Sequence, residues 1–193
     1  MFYFVSPLNP EDPKYEIKYA IPGFTDAKYG YVAGPLFSLC FGTLVLFTGS
    51  FSDNFTRKYL LGCAAIFWSL TSLGMSFSNT FVSVCCYRLL LGVFESFCAP
   101  AAYSLIADYF PPEKRTTANA FFSGCIFVGA SLSSLSAIMI GTFGWRYTYR
   151  IIAIYGILMG LFTILLVKEP QRGRFDPQKI VEANTASPDD RLD

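Results

Sequence analysis

An all-α polytopic membrane protein is the fold class this sequence predicts, and three observations predict it. Of the 193 residues, 53% are hydrophobic and only 15% are charged, against about a quarter charged in a soluble domain of this size. Apolar runs about one bilayer thick recur five times between short polar segments. Two of those runs end in proline-containing charged stops, PPEKR at 111–115 and KEP at 168–170. A formal net charge of +1 leaves no basic face for a nucleic acid. Histidine is absent, which excludes Ser-His-Asp or Cys-His catalysis and any His-ligated metal built from this chain alone. No cofactor and no metal are therefore expected. The six cysteines (40, 63, 85, 86, 98, 125) lie in apolar runs without a CxxC pair and read as small buried hydrophobes.

Residues 1–28 are polar and punctuated by Pro7, Pro10, Pro13 and Pro22, which predicts an extramembrane N-terminal segment. Its opening MFYFV is too short for the apolar region of a cleavable signal peptide. The first span then runs from about Tyr31 to Ser52 without a charge, and DNFTRK follows as a loop. A second span covers 59–79 and a third 81–108, in which Pro100 removes a backbone donor and predicts a kink. A fourth occupies about 116–140, GTFGWR makes the next turn, and a fifth occupies 147–167. The bundle is thus 29–168, and 169–193 reads as a cytoplasmic linker or tail.

Five spans put the two ends of the chain on opposite sides. Arg57, Lys58, Lys114, Arg115, Lys168, Arg172 and Arg174 gather on one side, which the positive-inside rule makes cytoplasmic. Asn54-Phe55-Thr56 fits a glycosylation pattern, but on this topology it faces the cytoplasm and is discounted.

Between Arg88 and Asp108 the third span carries a single charge, Glu95. A charge in hydrocarbon costs several kcal/mol unless it meets protein or water, so Glu95 is expected to line a cavity or pathway. Arg88 and Glu95 share a helix face about two turns apart, roughly 10 Å by helical rise, too far for a tight pair. The competing readings are a structural carboxylate bonded to neighbouring helices and an arginine that snorkels to the interface. Trp68 and the phenylalanines read as packing or lipid-facing residues, and Arg150 as interfacial. Gly34, Ser38 and Gly42 in the first span, and Gly129, Ser133, Ala137 and Gly141 in the fourth, place small residues at every fourth position. Such faces let two backbones approach, either within this chain or along a seam with another half. Gly156 and Gly160 repeat the spacing once.

The loop GSFSDNFTRK at 49–58 resembles the signature loop of the major facilitator superfamily: a glycine, an acid four residues on, then cations. Asn54 stands where that family usually has a cation and Thr56 where it commonly has glycine. Arg88-xxx-Gly92 is similar to the family's fourth-helix arginine motif, LIADYFPPEKR at 105–115 to the turn leaving that helix, and GWR at 144–146 to the approach to the sixth. DNFTRKYLL, FWSLTSLGMSF and RLLLGVFES resemble blocks of the Spinster-like lipid transporters, including the acid seven residues after the arginine.

The resemblance implies helices 2–6 of the major facilitator fold, without its first helix and its second half. It implies secondary transport, proton-linked, of a small amphiphilic solute such as a lysophospholipid or sphingolipid. Arg88 and Glu95 would belong to the substrate and proton pathway. Gly49, Asp53, Arg57, Lys58, Asp108 and Arg115 would form a cytoplasmic gating cluster. The partners implied are the lipid bilayer, the solute, and a C-terminal half or a homodimer mate; the membrane could be plasma or endolysosomal. The alternative is a non-transporting membrane scaffold or truncated relic. A membrane-embedded enzyme has little support, because one buried carboxylate without histidine or a metal cluster makes a poor active site.

Overall fold

The computed structural model describes residues 12–52 and 55–175, all of whose regular structure is helical. Residues 1–11 and 176–193 lie outside this range, as does Asp53 of the expected gating cluster. A short helix α1 (Ile17–Ala20) leads to α2 (Asp26–Tyr31), which Thr25 caps by accepting the Lys28 N–H at 3.3 Å. A wider π-helical turn (Val32–Leu36) holds Pro35 before α3 (Phe37–Ser52) continues the same rod. The wider turn accommodates a residue that lacks an N–H and would clash with the preceding turn of an α-helix. Then come α4 (Arg57–Met75), α5 (Phe81–Glu95) and α6 (Cys98–Tyr109). The chain ends with α7 (Pro112–Ser133), α8 (Leu135–Phe143) and α9 (Trp145–Leu166).

Four continuous rods are long and apolar enough to cross a membrane: Ala27–Gly49, Phe81–Tyr109, Pro112–Phe143 and Trp145–Leu166. The sequence led us to expect a fifth, and α4 falls short of it by apolarity. Arg57 and Lys58 at its start lower its mean hydropathy, and the hydroxyls of its inward face lower it further. α4 is the hub of the bundle, lying against α9 most extensively and then against α5 and α6. Its inward face is built of small and hydroxylated residues (Gly62, Ala64, Ser69, Thr71, Ser72) that lower its apolarity while permitting close contact.

The α4–α9 contact is glycine-mediated. A methyl added to Gly62 would run into Ile164, one on Gly156 into Ser69, and one on Gly160 into Ile66. The spacing that Gly156 and Gly160 repeat only once in the sequence therefore marks a tight seam. By contrast, Gly34, Gly42 and Gly129 have nothing within 4 Å of an added methyl, and α7 buries no side chain.

Asp12–Phe24 does not stand clear of the bundle. Ile21 and Phe24 are buried with Val32, Met75 and Val84 at one end. There the Trp145 N–H donates to Lys14 O at 3.2 Å and its indole N–H to Pro13 O at 3.2 Å. Gly144, with φ +89°, turns α8 into α9 directly beneath Lys14 O, and only glycine suits both demands. Arg146 ties the same end by donating to the carbonyls of Ser76 (2.7 Å) and Ser78 (2.9 Å) and to Asn79 Oδ1 (2.8 Å). These groups follow the last turn of α4, where backbone acceptors lack helical donors.

Candidate functional site

Thr80 starts α5 by accepting the Ser83 N–H at 3.2 Å, and the helix then carries Arg88 and Glu95 down one face. Both line a cavity of about 440 Å³ in the middle of the bundle, together with Trp68, Tyr149, Ile152 and Glu16. No ion pair joins Arg88 to Glu95 among the described residues. The Arg88 guanidinium instead lies over the Phe37 ring at 4.7 Å, and its buried Nε has no hydrogen-bond partner. Among the described residues, a cation with a spare donor and an acid without a bonded mate thus face a shared space with aromatic and aliphatic walls. Such a space suits a molecule with a polar head and an apolar body.

Glu95 is the last residue of α5, and the rod breaks just beyond it at Ser96–Phe97 before α6 resumes. Pro100 explains the position. Lacking an N–H, it leaves the carbonyl four residues earlier, that of Ser96, without its helical donor. The Thr48 hydroxyl of α3 fills the vacancy, donating to Ser96 O at 2.9 Å in a fully buried setting. The kink expected from Pro100 thus falls one turn upstream of it, next to the acid.

At the opposite end from Trp145, charge is arranged differently. Arg57 and Asp108 form an ion pair in which both side chains are buried, and Arg57 Nη1 also reaches Ser104 O at 3.4 Å. Asp108 accepts the Gly173 N–H on its other oxygen at 3.1 Å. Glu169 caps α4 with both oxygens, accepting the N–H groups of Arg57 (3.2 Å) and Lys58 (2.8 Å). Thr56, the residue at the cap position, makes no such bond. Arg172 donates to Phe55 O at 2.5 Å and Ser52 O at 3.5 Å, and the Tyr109 hydroxyl donates to Lys168 O. Lys168, at the end of the expected bundle, and residues 169–173, which the sequence reads as the start of a linker or tail, strap this cluster.

The other expected members of the cluster stand apart. Arg115 Nε bonds the carbonyl of Phe110, its own loop, at 3.2 Å. Lys58 lies over the Tyr59 ring at 4.8 Å, and Gly49 has open space around it. Sequence reasoning missed Glu169, Arg172, Thr48 and Glu16. For Glu169 a signal existed: an acid directly after an apolar run, where a helix exit meets the entrance of another. For Glu16, in a polar segment, there was none.

A multi-helix membrane bundle with a charged, aromatic-walled cavity defines a class, the polytopic transport proteins. Within it, the chain belongs to the major facilitator superfamily, whose pattern matches residues 7–187. It is an integral multi-pass membrane protein of a transporter family, not an enzyme family. It is 30% identical over 143 residues to Protein spinster of Drosophila melanogaster, covering 73% of this chain and 24% of the relative. To Protein spinster homolog 1 of Rattus norvegicus it is 33% identical over 144 residues, 72% of this chain and 26% of that one. The sphingosine-1-phosphate transporter SPNS2 of Danio rerio is 30% identical over 132 residues, 66% of this chain and 26% of its own. A crystal structure of a bacterial homolog to the human lysosomal transporter Spinster, inward-facing and unoccupied, superposes with a TM-score of 0.66. Its identity is 26%, covering 80% of this chain and 38% of that one. The chain spans about a quarter of the length of these curated relatives.

Proposed function

We propose that this chain supplies helices 2–6 of a Spinster-like major facilitator, with α4 crossing the membrane as a fifth, protein-enclosed span. In this reading the helical bundle is 29–168, flanked by the N-terminal segment and the tail. The activity is proton-linked movement of a small amphiphilic solute, a lysophospholipid or sphingolipid, by alternating access. The observation that supports it is the cavity with Arg88 and Glu95 unpaired on one wall. Glu95 serves as the proton site and Arg88 receives the anionic part of the solute. The Arg57–Asp108 pair acts as the cytoplasmic gate, and Gly49, Asp53, Lys58 and Arg115 are assigned to it on the resemblance of their motifs. The faces of Gly34, Ser38 and Gly42 and of Gly129, Ser133, Ala137 and Gly141 meet a C-terminal half or a second copy. The open surroundings of Gly34, Gly42 and Gly129 support that assignment.

The test is uptake of a labelled lysophospholipid into vesicles carrying the protein together with its partner half. A proton gradient drives accumulation, and Glu95→Gln abolishes the gradient-driven part while the amount of inserted protein stays the same. Unchanged proton dependence in that variant removes Glu95 from the mechanism. Vesicles that never accumulate the lipid favour the rival reading, a non-transporting scaffold.

A further inference from the structure

The cavity holds a second buried acid that the motifs do not account for. Glu16 is 4% exposed and lines the same space as Arg88 and Glu95, flanked there by Tyr15 and Ile17. Neither of its carboxylate oxygens accepts a hydrogen bond among the described residues. A buried carboxylate in that condition is costly unless a cation is close. One is: the ammonium of Lys18, whose side chain is 24% exposed, stands 3.1 Å from Glu16 Oε2, so the position accommodates a primary ammonium. The segment is not free to swing away, because Pro13 and Lys14 are bonded to Trp145 while Ile21 and Phe24 are packed in the core. Glu16 is thus held between two anchors at the outer edge of the cavity.

We infer that Glu16 is a specificity-determining residue that receives a primary ammonium on the solute's head group, so that the preferred solute is an amphiphile bearing both an amine and an anion. This rests on the reading that the cavity binds an amphiphile. The charge arrangement supports it: a guanidinium and a carboxylate already matched to an ammonium border one space, and a purely anionic head uses only the guanidinium, leaving Lys18 on Glu16. A zwitterionic head places its anion on Arg88 and its ammonium on Glu16, leaving Glu95 to exchange protons. The incoming ammonium takes the place of Lys18, whose side chain moves out to water. A charge-assisted hydrogen bond from ammonium to carboxylate in a dry site separates the two head groups by about tenfold in affinity.

The experiment is binding to the full chain in lipid nanodiscs, read by the fluorescence of Trp68 and Trp145, which both line the cavity. The probes are lysophosphatidylethanolamine and lysophosphatidic acid of one acyl chain, which share the phosphate and differ in the amine. The wild type binds the amine-bearing lipid about tenfold more tightly. Glu16→Gln brings its affinity down to that of lysophosphatidic acid, whose own affinity is unchanged. Should Glu16→Gln fail to fold, Glu16→Asp keeps the charge one methylene short and weakens the amine-bearing lipid alone. A wild type without preference, or a Glu16 variant that keeps the preference or weakens both lipids alike, overturns the role of Glu16. A wild type that binds neither lipid overturns the amphiphile reading of the cavity, and this inference with it.

Discussion

Two acid–arginine sets occupy the α5–α6 rod and its neighbours, and they differ in pairing. Arg57 and Asp108 are buried, bonded to each other, and bonded again to Ser104 O and the Gly173 N–H, with Arg57 Nε left over. Arg88 and Glu95 border an open space and make no pair among the described residues. The same chemistry therefore serves two ends. A paired set holds elements together and has less left for a ligand, whereas an unpaired one keeps its interactions for something that arrives. The contrast extends to the glycines: those of α4 and α9 are spent on contact, and those of α3 and α7 are not.

These comparisons can be broken by substitution. The largest effect is the loss of proton-driven uptake in Glu95→Gln, with thermal stability near wild type, because no bonded partner is orphaned. Asp108→Ala should do the reverse. It leaves Arg57 buried without its counter-ion, which costs about 3–5 kcal/mol, seen as a large drop in unfolding temperature in detergent. If Asp108→Ala unfolds like wild type, the pair is not the fastener described. Next in size is Gly160→Leu, which forces α4 and α9 apart. We expect a loss of about 1–3 kcal/mol, while Gly129→Leu on the open face of α7 changes stability by less than about 0.5 kcal/mol. Equal losses at the two positions would erase the distinction between a used and an unused seam. A smaller loss than at Gly160 is expected for Glu169→Ala, where removal of the α4 cap costs about 1 kcal/mol and raises proteolysis after residue 167. Resistance equal to wild type would mean that the strap is held by Arg172 and Tyr109 alone.

Much of the helix plan was legible, because an apolar run and a stop residue act locally. The runs at 31–52, 81–108, 116–140 and 147–167 each fall on an observed rod to within a few residues. What misled was α4. Its polarity looks like that of the other spans when residues are counted by run, yet Ser69, Thr71 and Ser72 are there because they are enclosed by protein. Pro100 pointed to a break, and the backbone donor it lacks sets the place, at Ser96. The site was partly legible: a lone acid and a lone arginine in hydrocarbon announce themselves by cost. Their lack of mutual pairing followed from seven residues of helical rise.

The sequence by itself determined that this chain enters a membrane as helices and that Arg88 and Glu95 share one face. Both follow from free energies of transfer and from the 1.5 Å rise, which need no knowledge of neighbours. Only the tertiary structure decided that Glu169 caps a helix 111 residues away, that Thr48 serves the carbonyl Pro100 abandons, and that Glu16 joins the cavity. Each of these joins groups from distant parts of the chain, and no local pattern encodes which donor a buried acceptor will meet.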